Sequence, residues 1–248
     1  ATAATSGGGA SATGSSSTSA TASATGSATA AASSAASAAV DSVVPDETAG
    51  PYPGDGSNGK NVLDDSGVVR SDITTSIGSS EKVAGVPMTI NLTVTDSTSG
   101  YAAMAGAAVY VWHCDAAGNY SMYSQGATDQ TWLRGVTETN ANGTATFTSV
   151  FPGCYAGRWP HIHFEVYKST SDATSSGQIV KTSQIALPQA ICETVYQNTS
   201  TYPNSTRNLG QLSLKTDNVF GNDGGIHQLA TVTGDASSGY VVNLTIGV

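Results

Sequence analysis

The first 39 residues contain only Ala, Ser, Thr and Gly, and this confines any folded core to the chain after Val40. A stretch without large apolar side chains has nothing to bury and cannot offset the entropy of ordering its backbone. Residues 1–40 therefore read as a flexible linker or tether, expected to be disordered. Residues 41–248 are left as one domain of about 200 residues, a size that a single β-sandwich or barrel can fill.

Within that domain the hydrophobic pattern is mostly two-residue. From Met88 to Thr95 the even positions are apolar and the odd ones polar, the signature of a half-buried strand. Residues 241–246 alternate similarly, and 143–150 is rich in β-branched residues between turn formers. Residues 107–114 and 160–167 are apolar runs dominated by β-branched and aromatic side chains, which also read as strands. The stretch 188–196 instead opens with Pro and spaces its apolar residues helically. The pattern predicts an all-β fold, a sandwich of mostly antiparallel sheets with one or two short helices and long loops.

The formal charge of −9 argues against nucleic acid and anionic membranes as partners, since those call for basic patches. No stretch approaches the length of a membrane-spanning helix, and no basic, apolar signal peptide stands at the start. The chain begins without Met, as a processed form would, and a Ser/Thr/Ala/Gly tail before one domain suits a secreted or surface-anchored protein. An extracellular location is therefore expected. Cys114, Cys154 and Cys192 allow at most one internal disulfide and leave its pairing open. A bridge at Cys154 could stiffen the loop carrying Tyr155, or all three could be small buried residues.

Chemistry concentrates in Tyr120, Tyr155, His161 and His163. The two histidines sit two apart on one strand, so their imidazoles share a face with Cα atoms roughly 6.6 Å apart and can converge on one metal ion. Tyr155 follows the Pro152-Gly153 turn, and Tyr120 follows the turn formers 115–119, loop positions where functional side chains gather. A His-x-His pair alone is as readily a chance feature of a strand. Adding two phenols makes the donor set of a ferric centre. A phenol titrates near 10, so ionising it at neutral pH costs about 4 kcal/mol, which a strong Lewis acid such as Fe(III) offsets. Zinc sites favour Cys, His and carboxylate, and calcium or magnesium favour carboxylates.

Several blocks occur in order along the chain: 45–52 (Pro-Asp-Glu-Thr-Ala-Gly-Pro-Tyr), Gly106 to Tyr120 with Asp115 and Gly118, Leu133-Arg134-Gly135, Pro152-Gly153-Cys154-Tyr155, and 158–164 (Arg-Trp-Pro-His-Ile-His-Phe). In these blocks the chain resembles the intradiol ring-cleavage dioxygenases, most of all their small secreted members, over roughly residues 45 to 248. The resemblance implies one non-haem Fe(III) per chain held by Tyr120, Tyr155, His161 and His163. It implies that a catechol-type diol and O2 are the substrates, with ring opening between the hydroxylated carbons to a cis,cis-muconate. By motif position Tyr155 would be the tyrosine displaced when the diol binds, taking up a proton. Arg158 would steady negative charge on the activated ring, and Gln184 would lie near the iron. Gly50, Pro51 and Tyr52 would fold over the diol pocket, although their residue types alone suit an extended segment interrupted by proline. Which catechol is taken, and whether the chain is a monomer or an oligomer, stays open.

Other polar residues have plainer readings. His113, alternating with Val109 and Val111, suits a hydrogen-bonded core histidine better than a ligand, and His227 reads as an ordinary strand residue. Arg158 could be a surface ion pair. Glu165 shares a face with both motif histidines and could orient an imidazole or form an ion pair at the sheet edge. Arg134 could reach the site or pair with an acid such as Glu138. Two rival functions are a tethered β-sandwich binding module for carbohydrate or aromatic ligands, with Tyr and Trp as its platform, and a zinc hydrolase built on His161 and His163. The second lacks a motif for a third, carboxylate ligand.

Overall fold

The structure is a computed structural model that describes residues 42–248; the expected tether at residues 1–40 lies outside them. In chain order the strands are β1 (Pro87–Asp96), β2 (Ala102–Ala103), β3 (Ala108–Trp112), β4 (Arg134–Glu138), β5 (Thr144–Val150), β6 (His161–Tyr167), β7 (Ile179–Ala186), β8 (Thr231–Asp235) and β9 (Gly239–Gly247). The helices are α1 (Thr170–Ala173), α2 (Gln189–Val195) and α3 (Ser205–Leu209).

The alternation in β1 marks a strand with one wet face: Met88, Ile90, Leu92 and Val94 are all buried, while Thr89, Asn91 and Thr93 are only partly so. β1 pairs antiparallel with β5, bringing Ile90 opposite Phe147, and with the short β2 further along. On its other edge β9 runs parallel to it, and β8 closes that side. A parallel pair cannot be joined by a tight turn, and here the whole second sheet lies between β1 and β9 in the sequence.

That second sheet, ordered β4-β3-β6-β7, is antiparallel throughout. Its inner side chains Val109, Val111, Ile162, Phe164 and Val166 join Ile90, Leu92, Phe147, Val242 and Leu244 in the main core between the sheets. Its outer face is not wet either. Ala108, Tyr110, Trp112, Val136 and Tyr167 pack against Val62, Leu63 and Val68, so the segment before β1 folds back as a cover. Burial on both faces explains why β3 reads as an unbroken apolar run and why β6, although it carries His161, His163 and Glu165, is buried at every position.

The architecture is the expected β-sandwich, with two differences. A helical turn, α1, sits inside the Ser/Thr/Gly-rich stretch read as loop, because Ser169 caps it: its Oγ accepts from the Asp172 amide at 3.1 Å and donates to Asp172 Oδ2 at 2.7 Å. With α3 this makes three short α-helices among the described residues. Pro188 stands at the N-cap of α2, where its missing amide proton is no loss. Among the described residues no helix is long and apolar enough to cross a membrane. Cys114, Cys154 and Cys192 are buried free thiols, which is the small-buried-residue reading.

Candidate metal centre

Two loops deliver the phenols to the strand that carries the histidines. After β3 the chain turns on Asp115, whose Oδ1 accepts from the amides of Ala117 and Asn119 at 2.9 and 2.8 Å. Gly118 takes a left-handed conformation there (φ +92°), and a Cβ on it would lie 3.1 Å from Tyr155 Cβ. The Tyr155 loop is tied to the same turn by the Gly153 amide, which donates to the Asp115 carbonyl at 3.0 Å. Ser205 and Asn208 hold its far side, Ser205 Oγ accepting from the Cys154 amide and Asn208 Nδ2 donating to the Cys154 carbonyl.

The four oxygen and nitrogen atoms meet at one point. Tyr120 Oη lies 3.3 Å from Tyr155 Oη and 3.5 Å from His161 Nε2. Tyr155 Oη lies 3.2 Å from His161 Nε2, which is 3.1 Å from His163 Nε2. Neighbouring ligands on a single transition-metal ion stand about 3 Å apart. His161 Nδ1 donates to the Trp159 carbonyl, which leaves the Nε2 lone pair facing the cluster. His163 is steadied differently: its Nδ1 is buried with no hydrogen-bond partner among the described residues, and its ring stacks on Trp112 at 4.9 Å and 4°.

Protonation favours the same use. Burial, reinforced by the Arg158 cation, pushes the His161 imidazole down to about 3. Burial and the neighbouring His161 hold His163 well below its ordinary value. Both rings are thus neutral and ready to donate. Burial pushes Tyr155 up to about 12, and burial followed by the nearby Tyr155 carries Tyr120 well above the usual phenol range. Only a strongly polarising cation would ionise these phenols at neutral pH. Among the described residues no three of His, Cys, Asp and Glu come together, so the phenol oxygens are needed to complete any site here. The set fits Fe(III) and not zinc.

Arg158 is not the surface ion pair of its plain reading. Its Nη1 lies 3.5 Å from His161 Nε2, so the cation abuts the donor cluster. Nη2 donates to Gln184 Oε1 at 2.7 Å, and Nε donates to Asp217 Oδ1 at 3.0 Å. Asp217, which the sequence reading missed, is buried and also accepts from the Trp159, Val219 and Phe220 amides. Burial alone would raise its carboxyl, but hydrogen bonds from Arg158 and the backbone outweigh that and hold it below the usual range. Its sole sequence signal is being an Asp in a turn-rich stretch, too common to single out. Gln184 touches Arg158, and its Nε2 donates to the Thr48 carbonyl at 2.9 Å.

The segment 50–52 borders the cluster. Gly50 adopts φ +71°, and a Cβ there would sit 3.4 Å from His163 Cε1; it is no simple extended residue. Pro51 follows it, and the Tyr52 ring lies 5.0 Å from that of Tyr120.

Four plainer readings are settled or corrected. His113 is buried and bonded to the Cys114 carbonyl and Ser149 Oγ at 2.8 and 2.7 Å, a core histidine as expected. His227 lies in a turn, not a strand. Glu165 neither orients an imidazole nor joins an ion pair, because β6 is an interior strand. Its Oε2 accepts from Tyr167 at 2.7 Å, and burial pushes its carboxyl up to about 8. Arg134 pairs with no carboxylate, Glu138 included; its partners are neutral oxygens of Tyr52, Pro53, Tyr110 and Ser121.

A family model described as "Dioxygenase" matches residues 65–199. The chain belongs to that family, of the intradiol ring-cleavage type its motifs resemble. Its fold is similar to that of an intradiol ring-cleavage dioxygenase from Tetranychus urticae, with a TM-score of 0.65 and 24% identity over 83% of this chain and 94% of that one. It is also similar to the dioxygenase domain of a dioxygenase carbohydrate-binding protein fusion from the cellulolytic bacterium Streptomyces sp. SirexAA-E. There the TM-score is 0.50, at 22% identity over 84% of this chain and 98% of that one. No curated protein matches the chain by sequence.

Proposed function

We propose that the protein is an extracellular, Fe(III)-dependent intradiol dioxygenase that opens catechol-type diols between their two hydroxylated carbons, giving cis,cis-muconate-type products. The observation that carries this is the clustering of the Tyr120 and Tyr155 phenol oxygens and His163 Nε2 around His161 Nε2, each 3.1 to 3.5 Å from it. In this reading residues 41–248 are the catalytic domain. The extracellular setting rests on the Ala/Ser/Thr/Gly composition of residues 1–39.

Tyr120, Tyr155, His161 and His163 would hold the iron, which, when bound, acidifies a chelated diol and opens its ring to O2. The division of labour between the phenols follows from burial. Tyr120 is 2% exposed, whereas Tyr155 is partly exposed on its loop, so Tyr155 is the one free to swing aside. A phenolate is a base at neutral pH because a free phenol titrates near 10, so once released the Tyr155 Oη would take one of the two diol protons. Asp217 and Gln184 fix the Arg158 guanidinium beside the cluster from behind. It is aimed where negative charge builds on the ring, a preorganised cation that need not reorient during reaction. Gly50 leaves room beside His163, and the Tyr52 ring, set against that of Tyr120, forms a wall of the pocket.

A binding module with an aromatic platform fits less well. Trp112, Trp132 and Trp159 are buried, and Tyr52 is the one exposed aromatic among the described residues. Turnover of catechol by iron-loaded protein under 18O2 tests the proposal: a ring-opened diacid with one labelled oxygen in each new carboxyl supports it. No oxygen uptake, or a ring opened beside the diol, contradicts it.

A further inference from the structure

Arg134 is the one arginine among the described residues that is fully buried, at 1% exposure. A buried guanidinium without a counter-charge is expensive unless every donor finds an oxygen. Here each direction is filled. Nη1 donates to the Pro53 carbonyl at 2.8 Å and to Tyr110 Oη at 3.1 Å. Nη2 donates to the Tyr52 and Ser121 carbonyls at 2.9 and 3.0 Å, and Nε donates to Ser121 Oγ at 2.9 Å. The acceptors fall into three groups: the Tyr52-Pro53 backbone, Ser121, the residue next to Tyr120, and the Tyr110 hydroxyl of β3. Only a planar fork can bridge them, which a lysine cannot do.

Two further observations give this bridge a purpose. From Thr48 to Pro53 the backbone makes no hydrogen bond to other backbone among the described residues, so side chains must hold the segment. Gln184 holds the Thr48 carbonyl, and Asn58 the Pro51 carbonyl; Arg134 and Tyr110 hold the other end, where Tyr110 Oη donates to the Pro53 carbonyl at 2.6 Å. Independently, Gly54 lies so close that a Cβ on it would come within 2.9 Å of Arg134 Nη1, at φ +62°. The chain comes this near because a glycine permits it.

We infer that Arg134 is a positioning residue that fastens the Tyr52–Gly54 segment to the Tyr120 loop and so sets the wall of the diol pocket. It does not touch the reacting atoms. It fixes where the Tyr52 ring rests against Tyr120 and how wide the opening over the iron is. The word pocket rests on the dioxygenase reading proposed above; the fastening does not.

The test uses Arg134→Gln, Arg134→Lys and Gly54→Ala in two states. In metal-free protein, hydrogen exchange of the Gly54 and Gly56 amides, which donate to Tyr123 Oη and the Lys60 carbonyl, should speed up on the order of tenfold in all three variants, with β1 and β6 unchanged. In iron-loaded protein, KM for catechol should rise about tenfold while kcat stays within about threefold. Lysine should do no better than glutamine, because charge without the fork cannot bridge. Unchanged exchange at Gly54 and Gly56, restoration by lysine, or a fall in kcat at constant KM would each overturn the inference. If the Arg134 variants loosen β1 and β6 as well, Gly54→Ala decides: local loosening with raised KM upholds the clamp, and unaltered exchange and KM sink it. Should iron-loaded protein fail to cleave catechol while the metal-free result stands, the dioxygenase reading has failed and the clamp has not.

Discussion

The two sheets of this sandwich are built from similar residues and differ in what covers them. β1 presents one face to the core and one partly to solvent; Thr89, Asn91 and Thr93 are partly exposed, and Thr95, its one buried polar residue, donates to the Ile246 carbonyl. β6 is buried at every position, and its polar residues are His161, His163 and Glu165, hidden under loops. A polar side chain on a wet face needs no partner, whereas one on a covered face must be satisfied or employed. Glu165 is satisfied by Tyr167, and the histidines face two phenols. The lesson is that the covered second face, and not the shared core, is where chemistry resides.

The sharpest way to break this comparison is to exchange one residue of the donor cluster and one of the first sheet. Tyr120→Phe or His163→Ala should abolish ring cleavage by more than the roughly 100-fold that losing a ligand's supporting partner costs, with stoichiometric iron lost from the purified protein. Leu92→Ala in β1 should do the reverse, lowering unfolding stability by about 2–5 kcal/mol in denaturant titration and leaving iron content intact. If Leu92→Ala strips the iron while the fold holds, the separation of core from site is wrong.

A smaller effect concerns the second tier. Asp217→Asn keeps the shape but removes the charge that anchors Arg158, so kcat should fall by about 10–100-fold with the iron spectrum retained. A variant that instead loses its iron would make Asp217 a support of the ligand loop. Iron uptake should also release protons, because both phenols are protonated in the metal-free protein at neutral pH, with Tyr155 at about 12, while the two imidazoles are already neutral. Apparent affinity therefore rises with pH, by up to about 100-fold per unit for two protons. Calorimetry in buffers of differing ionisation enthalpy counts them; a count of zero would exclude phenolate ligation.

The smallest expected effect belongs to the core. Burial pushes His113 down to about 4 from its ordinary value near 6.5. Between those values the unfolded chain binds a proton there that the folded protein does not, so folding stability is full above about pH 6.5 and declines as pH falls toward 4. His113→Gln should flatten that decline by up to about 1.4 kcal/mol per pH unit. An unchanged slope would mean that His113 stays accessible to protons.

Much of this was legible in the sequence because periodicity and motif report local geometry. The two-residue alternation of 88–95 gives β1, and His161-Ile162-His163 on an apolar strand gives two convergent imidazoles. Pro188 with helical spacing gives α2. What the sequence could not convey is long-range pairing. Asp217 reaches Arg158 across 59 residues, and Arg134 reaches Tyr52 across 82. Nothing local distinguishes Asp217 from other turn aspartates, or Arg134 from an arginine meant for Glu138. Glu165 misled for a different, local reason. Its face was right, but Tyr167, two residues on, took its hydrogen bond. The parallel alignment of β9 with β1 was likewise invisible, since strand pattern carries no direction.

The account stands on the claim that Tyr120 and Tyr155 bind ferric iron as phenolates. Visible absorption of purified, iron-loaded protein, recorded before and after adding catechol without oxygen, tests it most directly. The account predicts a tyrosinate-to-iron charge-transfer band that shifts when catechol is added and is diminished in Tyr120→Phe. A colourless protein with one iron confirmed per chain, or a band indifferent to catechol, would contradict it.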